Sequence, residues 1–302
     1  MARVVVLGAG FSGHTASTFL KKWLGSKHEV IVVSPNSRWN WIPSNIWVGV
    51  GKMKKEDVIF ELAPVYKKIG IDYRQAKAVS IHPEGNKSGK NPFVSIEYTD
   101  PKREGEKEEI TYDYLINATG PQLKFGATEG LGPDSGHTLS VCTANHAEET
   151  SGRLKEAIRR MKADEHLKFV IGTGHGTCTC QGAAFEYIFN VEHVLKENGV
   201  RDKAELTWLS NEYEVGDFGM GGIHLKRGGY VTNSKIFTES IMSERGINWI
   251  TRAHVSKIEK DKIYYEQLDG SQHEIGFDFS MLIPPFSGVG LKAYNGADED
   301  IT

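Results

Sequence analysis

The sequence predicts an α/β fold built from two strand–turn–helix–strand nucleotide-binding units. Three observations predict it. An apolar strand, Arg3–Leu7, runs straight into G-x-G-x-x-G at Gly8, Gly10 and Gly13. The strand-then-glycine pattern returns at "LKFVIGTG", Leu167–Gly174. Each turn is followed by a helical stretch and then a further apolar strand. With 302 residues and 39% hydrophobic composition, the chain has material for about two domains with proper cores. A net charge of −3 with mixed signs gives no basic footprint for nucleic acid.

In chain order, the first unit comes first. Gly8 makes the tight turn, Gly10 lets backbone approach a pyrophosphate, and Gly13 allows close helix–strand packing. Phe11 and Ser12 stand between them and open the helix, predicted over Phe11–Trp23, whose N–H groups point at the phosphate. The next strand, Glu29–Val33, should end in an acid for the ribose hydroxyls. Ser34, Pro35 and Asn36 stand there instead, so the ribose partner is a hydroxyl or an amide. Residues 71–111 read as a β-meander that includes "FVSIEY", Phe93–Tyr98, and a charged loop, Asp100–Glu109. Strand Tyr114–Asn117 follows and ends in Ala118-Thr119-Gly120, small enough for a cofactor to approach.

The second unit repeats this plan with a broken fingerprint. Its helix is predicted over Ala183–Gly199 and its next strand over Ala204–Ser210. Where the third glycine is due there is Thr177, then Cys178 and Cys180, two of only three cysteines. No acid ends the second strand; Ser210 and Asn211 sit there, which argues against a nicotinamide nucleotide. A helix N-terminus, with His175 nearby, is expected to lower the pKa of these thiols and make them nucleophiles toward sulfur. An inert buried thiol is the plain alternative. Cys-x-Cys with His175 matches no zinc spacing, so no metal is predicted.

The motifs together resemble the sulfide:quinone oxidoreductase family of the flavoprotein disulfide reductase superfamily. The resemblance runs through "VVVLGAGFSG", "PSNIWVGVG", "YDYLINATGPQLKFG", "SVCTANHAEET", "CQGAAFEY" and "MLIPPFSGV". It implies an FAD/NAD(P)-binding fold of disulfide reductase type. The expected division is an FAD-binding domain over 1–165, a second Rossmann-like, NAD-type domain over 166–284, and a return segment over 285–302. The family continues past the position of Thr302, so a C-terminally shortened chain is expected.

The resemblance also implies roles. FAD would be held by Gly8, Gly10, Phe11, Ser12, Gly13 and Ser34, with Pro43, Ser44, Thr119 and Gly120 beside it. Cys180 matches a redox cysteine and Cys142 the family's third cysteine. His146 and Glu186 match residues that assist proton movement, and Cys178 is extra. The implied reaction is FAD-dependent oxidation of sulfide to polysulfide sulfur, with electrons passed to quinone. Rival readings are the flavoprotein subunit of a flavocytochrome c sulfide dehydrogenase, an NADH:quinone reductase, and a non-catalytic FAD-binding fragment.

The family also implies peripheral membrane association and allows a homo-oligomer. The short apolar N-terminal run leads into the glycine turn and does not read as a secretory leader. The expected location is cytoplasmic or peripheral to a membrane. The aromatic loop "RWNWIPSNIW" is read as packing in the core or over the cofactor, and Asp217 stands where the family often has a histidine near the quinone.

Overall fold

The structure, a computed structural model, describes residues 1–302 apart from the side chain of Arg227. Its α-helices in chain order are α1 (Phe11–Leu24), α2 (Asn45–Gly49), α3 (Leu62–Ile69), α4 (Ala144–Lys162), α5 (Gln181–Glu197) and α6 (Ser234–Glu244). The chain forms two compact units, each made of discontinuous segments. The first comprises residues 1–40, 59–122 and 287–302, and the second 41–58 and 123–286.

The first unit is built on β1 (Arg3–Leu7), β2 (Glu29–Ser34), β3 (Arg38–Asn40), β4 (Ile59–Glu61), β5 (Asp72–His82), β6 (Phe93–Tyr98), β7 (Lys107–Thr111) and β8 (Tyr114–Asn117). Its main sheet has the order β7-β6-β5-β2-β1-β8, with β3 and β4 as a separate antiparallel pair. Strands β5, β2, β1 and β8 run parallel, and β5-β6-β7 form the antiparallel meander. β1 is apolar throughout because both of its faces are covered. Val5 and Leu7 pack with Ile31, Val94 and Ile96. Val6 packs on the other side with Val32, Leu62 and Tyr66. The meander is where the sequence places it. The predicted charged loop is shorter than expected, because Lys107–Glu109 join the ladder that buried Ile110 anchors in β7. Strand Lys292–Ala293 adds to β5 in parallel.

The second unit holds a four-stranded parallel sheet, in the order Ile247–Ile250, Ala204–Leu209, Leu167–Thr173, Phe279–Ile283. A three-stranded antiparallel sheet, 254–276, packs Val255, Ile258 and Ile263 against Leu131, Val170, Leu209 and Leu282. α5 begins two residues before its predicted start and ends two residues earlier than predicted, because Gly199 turns into the left-handed region (φ 68°). α2 backs onto α5: the Tyr187 hydroxyl, fully buried, donates to the Gly49 carbonyl at 3.2 Å. Among the described residues no helix is long and apolar enough to cross a membrane.

Candidate functional site

Two turns, one in each unit, carry the chemistry. In the first unit, Gly8 N–H donates to Val33 O and Ala118 N–H to Leu7 O, both at 2.7 Å, knitting three strand ends together. That closeness dictates two of the glycines. A Cβ on Gly8 (φ 94°) would lie 2.1 Å from Ala118 O, and one on Gly13 would lie 1.9 Å from Gly8 O. Gly10 differs, since a Cβ there would meet nothing within 4 Å. The turn is therefore tight beneath and open above, the shape that admits a pyrophosphate against backbone.

α1 starts immediately after Gly10, with no side-chain cap and no acidic residue in its first turn. Its positive N-terminal end thus faces no carboxylate of its own. Ser12 is exposed and Phe11 partly so. Ser34 ends β2 and is buried. Thr119 is half-buried, its hydroxyl donating to Asn117 Oδ1 at 2.8 Å, and Gly120 (φ 73°) is open above. These residues share the first unit. Pro43 and Ser44 lie in a short 3₁₀ turn, Ile42–Ser44, of the second. Of the aromatic loop, Trp39 packs as expected, stacked on Phe60 with ring centres 5.0 Å apart. Trp41 and Trp47 lie outside the core; both are exposed.

The second turn has the opposite character. A Cβ on Gly172 would lie 1.7 Å from Leu209 O, repeating the tight base. Above Gly174 the space is filled: a Cβ would lie 2.4 Å from Leu131 Cδ1. At Gly176 it would lie 2.5 Å from His254 Nδ1, which accepts the Gly176 N–H at 2.9 Å. Asn211 occupies the ribose position and binds protein. Its Nδ2 donates to Gly176 O and Cys178 O, each at 2.9 Å, and its N–H to Thr173 Oγ1 at 3.0 Å. Gln181 Nε2 donates to Cys178 O and Asn211 Oδ1. Side chains thus fill the space above this turn and take up the residue at the ribose position. Leu131, Gln181 and His254 carry no motif; of this lock only Asn211 had a readable signal, an amide where an acid was due.

This closed turn presents the thiols. All three are free. Cys180 is the N-cap of α5 and half-buried. Cys178 is buried, and its thiol donates to Ile283 O at 3.1 Å. Cys142 precedes Thr143, which caps α4 by accepting the His146 N–H at 3.1 Å. The three lie within electrostatic reach of one another, since a charge on Cys180 raises both others and one on Cys142 raises Cys178.

The expected lowering of the pKa is not found at Cys178. Burial pushes Cys142 up to about 11 and Cys178 up to about 12. Cys178 lies upstream of the first turn of α5, and desolvation there outweighs the N–H groups of Gly174 and His175 that favour its thiolate. The His175 ring does not help either, because burial and nearby His254 lower its pKa and favour the neutral form.

Of the two proton-handling candidates, His146 stands four residues beyond Cys142, its ring edge on Phe125 and its Nε2 3.7 Å from the Asp134 carboxylate. Glu186 is exposed on α5, about 240° around the helix from Cys180, and is not brought to the thiols.

The model of the family described as "pyridine nucleotide-disulphide oxidoreductase" matches residues 2–194. The sulfide-quinone reductase of Aquifex aeolicus is 34% identical over 293 residues, which are 97% of this chain and 60% of that protein. The X-ray structure of the sulfide:quinone oxidoreductase from that organism superposes with a TM-score of 0.79, covering 95% of this chain and 59% of the other. A structure of NDH2 from Plasmodium falciparum, 13% identical, covers 96% of this chain and 56% of its own with a TM-score of 0.70, a likeness of fold alone. The chain thus spans about three fifths of the Aquifex protein's length.

Proposed function

The chain belongs to the pyridine nucleotide-disulphide oxidoreductase family, and from that premise we propose that it carries the FAD seat and redox thiols of an enzyme that oxidises sulfide and reduces a quinone. The observation that carries this reading is the contrast between the two turns. One is open above Gly10; the other is plugged by Leu131 and carries two of the three free thiols, Cys178 and Cys180. A family member with a single open nucleotide seat and thiols at the second is suited to take electrons from sulfur and not from a nicotinamide. The likeness to the Aquifex sulfide-quinone reductase supports the choice of sulfide and quinone.

The residues present fit FAD. The backbone of Gly8, Gly10, Phe11, Ser12 and Gly13 and the start of α1 would hold its pyrophosphate, and Ser34 would face the ribose. Thr119 and Gly120 would line its approach; the family resemblance alone is what offers Pro43 and Ser44 to the flavin. Bound FAD supplies a two-electron carrier between sulfur and quinone. The protein's own part is thiol chemistry at Cys180, the N-cap of α5 and only half-buried. Two of the thiols, Cys180 and a second one, would first be joined as a disulfide, their two electrons and two protons leaving with bound FAD as the oxidant; hydrosulfide would then attack the Cys180 sulfur, making a persulfide there and releasing the second sulfur as thiolate with the electron pair of the broken bond. Cys142 and Cys178, held as protonated thiols by burial, are reserve partners and not the attacking group. His146, with Asp134 near its Nε2, would take the proton that the new persulfide gives up on ionising, and Glu186 lies on the outer face of α5, away from the thiols. Association with a lipid surface, from which the quinone is drawn, belongs to the same proposal.

The visible spectrum of the purified chain tests this under anaerobic conditions. Flavin absorbance that bleaches on adding sulfide, and does not bleach with NADH, is the expected result. Cys180→Ser should keep the colour and lose the response to sulfide. Bleaching by NADH, or sulfide bleaching that survives in Cys180→Ser, would sink the reading.

A further inference from the structure

The segment after strand Ala204–Leu209 is a loop, 211–222, that owes its shape to one buried acid. Glu212 is 3% exposed, and both of its carboxyl oxygens are engaged. Oε1 accepts the Phe218 N–H at 2.8 Å, and Oε2 accepts the Ser210 hydroxyl at 2.9 Å. Its backbone carbonyl accepts the Arg252 N–H at 2.7 Å. Phe218 (φ 51°) and Arg252 (φ 60°) are two of the four non-glycine residues with a left-handed backbone among those described. Such a backbone is costly and persists only where the surroundings enforce it. Here both residues are held by Glu212. Burial holds its carboxyl above the usual carboxylate range, against the pull of the Phe218 N–H and the Ser210 hydroxyl, and the Asp217 charge adds to the rise. The neutral acid is therefore the form that the closed loop favours.

The loop reaches the thiol turn. Asp217 closes it on itself, its carboxylate accepting the Gly219 N–H at 2.6 Å and the Tyr213 N–H at 3.1 Å. Beside Asp217, the Phe218 ring meets Phe185 of α5 edge-on, with ring centres 5.1 Å apart. A Cβ on Gly219 would lie 3.6 Å from Gln181 Oε1. That oxygen is buried and meets no donor among the described residues. Gln181 follows Cys180, and its amide donates to Cys178 O at 2.9 Å and to Asn211 Oδ1 at 3.1 Å. We infer that Glu212 is a positioning residue: its carboxyl latches the loop against the first turn of α5, and the latch sets how freely a small thiol reagent reaches Cys178 and Cys180. The ion pair Lys235–Glu214 at the same loop joins half-exposed groups, and such pairs contribute little. Lifting the loop uncovers Gln181, whose amide then exchanges the Cys178 carbonyl for water. The inference rests on the proposed function only in naming hydrosulfide as the natural reagent. A neutral alkylating probe tests it independently of whether sulfide is the substrate.

The test is alkylation of the whole chain by iodoacetamide at neutral pH, each cysteine being followed by peptide mass analysis. Cys142, which precedes α4, is the internal reference. Glu212→Ala should speed labelling of Cys178 about ten-fold and of Cys180 about three-fold, while Cys142 stays within about two-fold of the wild type. Glu212→Gln keeps an acceptor for the Phe218 N–H and a polar partner for Ser210, so it should restore the wild-type rates. Phe218→Ala, at a half-buried position, should speed Cys178 about three-fold through loss of the Phe185 contact, and it carries the test where Glu212→Ala does not fold. Labelling of Cys178 and Cys180 left unchanged by these two alanine variants would overturn the inference. So would equal acceleration of all three thiols, the mark of a general loosening, or failure of Glu212→Gln to restore the wild-type rates.

Discussion

At the residue scale, two glycines of the first turn have different consequences. Gly10→Ala adds a methyl group in open space. Stability should change little, while FAD affinity, read by fluorescence titration, should fall at least about ten-fold, because the methyl occupies the phosphate approach. Gly8→Ala combines a left-handed backbone with a clash against Ala118 O and should cost about 2–4 kcal/mol in a denaturant melt. The thiols make a pH prediction. The raised pKa of Cys178 means that the native state keeps this proton where the unfolded chain releases it. Its contribution is therefore complete below about pH 9 and is lost as pH rises toward 12, at up to about 1.4 kcal/mol per pH unit. Urea midpoints at pH 8 and pH 11 should fall apart more in the wild type than in Cys178→Ala. The same raised values predict that mild alkylation at neutral pH labels Cys180 well ahead of Cys142 and Cys178, which peptide mass analysis reads directly.

At the scale of elements, the loop between strand Leu167–Thr173 and α5 is held by Asn211 and Gln181 across two carbonyls. Asn211→Asp replaces donors with a carboxylate facing those carbonyls. It should cost about 2 kcal/mol and speed alkylation of Cys178 at least about ten-fold by loosening the loop. This loop also marks the limit of what the sequence discloses. The boundaries of β1, β6 and β8 were legible to the residue, because each is a local apolar run closed by turn residues. The open cradle at Gly10 was legible for the same reason, since its fingerprint lies within six residues. The lock on the second turn was not. Leu131, Asn211 and His254 reach Gly174, Gly176 and Cys178 from more than thirty residues away on either side, and no local pattern announces such contacts. The thiol pKa values failed for a related reason. A helix start is local and readable, but the burial that outweighs it depends on strands distant in sequence, such as the one ending at Ile283.

For the whole molecule, each compact unit draws on separate stretches of chain. Residues 41–58 contribute α2 to the second unit, where the buried Tyr187 hydroxyl meets Gly49 O. The fragment 123–286 alone leaves that tyrosine without its partner and its ring uncovered. It should melt without a cooperative transition by circular dichroism, whereas the whole chain melts cooperatively. The motifs, read in linear order, show the two nucleotide-type plans but not this interleaving, because α2 carries no signature of the unit it completes.

The plug above Gly174 has a further consequence, for descent. Restoring a nucleotide seat there requires removing Leu131 from the opening, turning His254 away from Gly176 and releasing Asn211 from two carbonyls. Each change alone opens a cavity or strands a buried polar group, costing about 1–4 kcal/mol before any ligand is gained. The reverse path therefore begins with losses, and the turn behaves as a ratchet. Lineages that acquired the plug would keep the βαβ architecture of a nucleotide binder long after the option of binding a nucleotide there had closed.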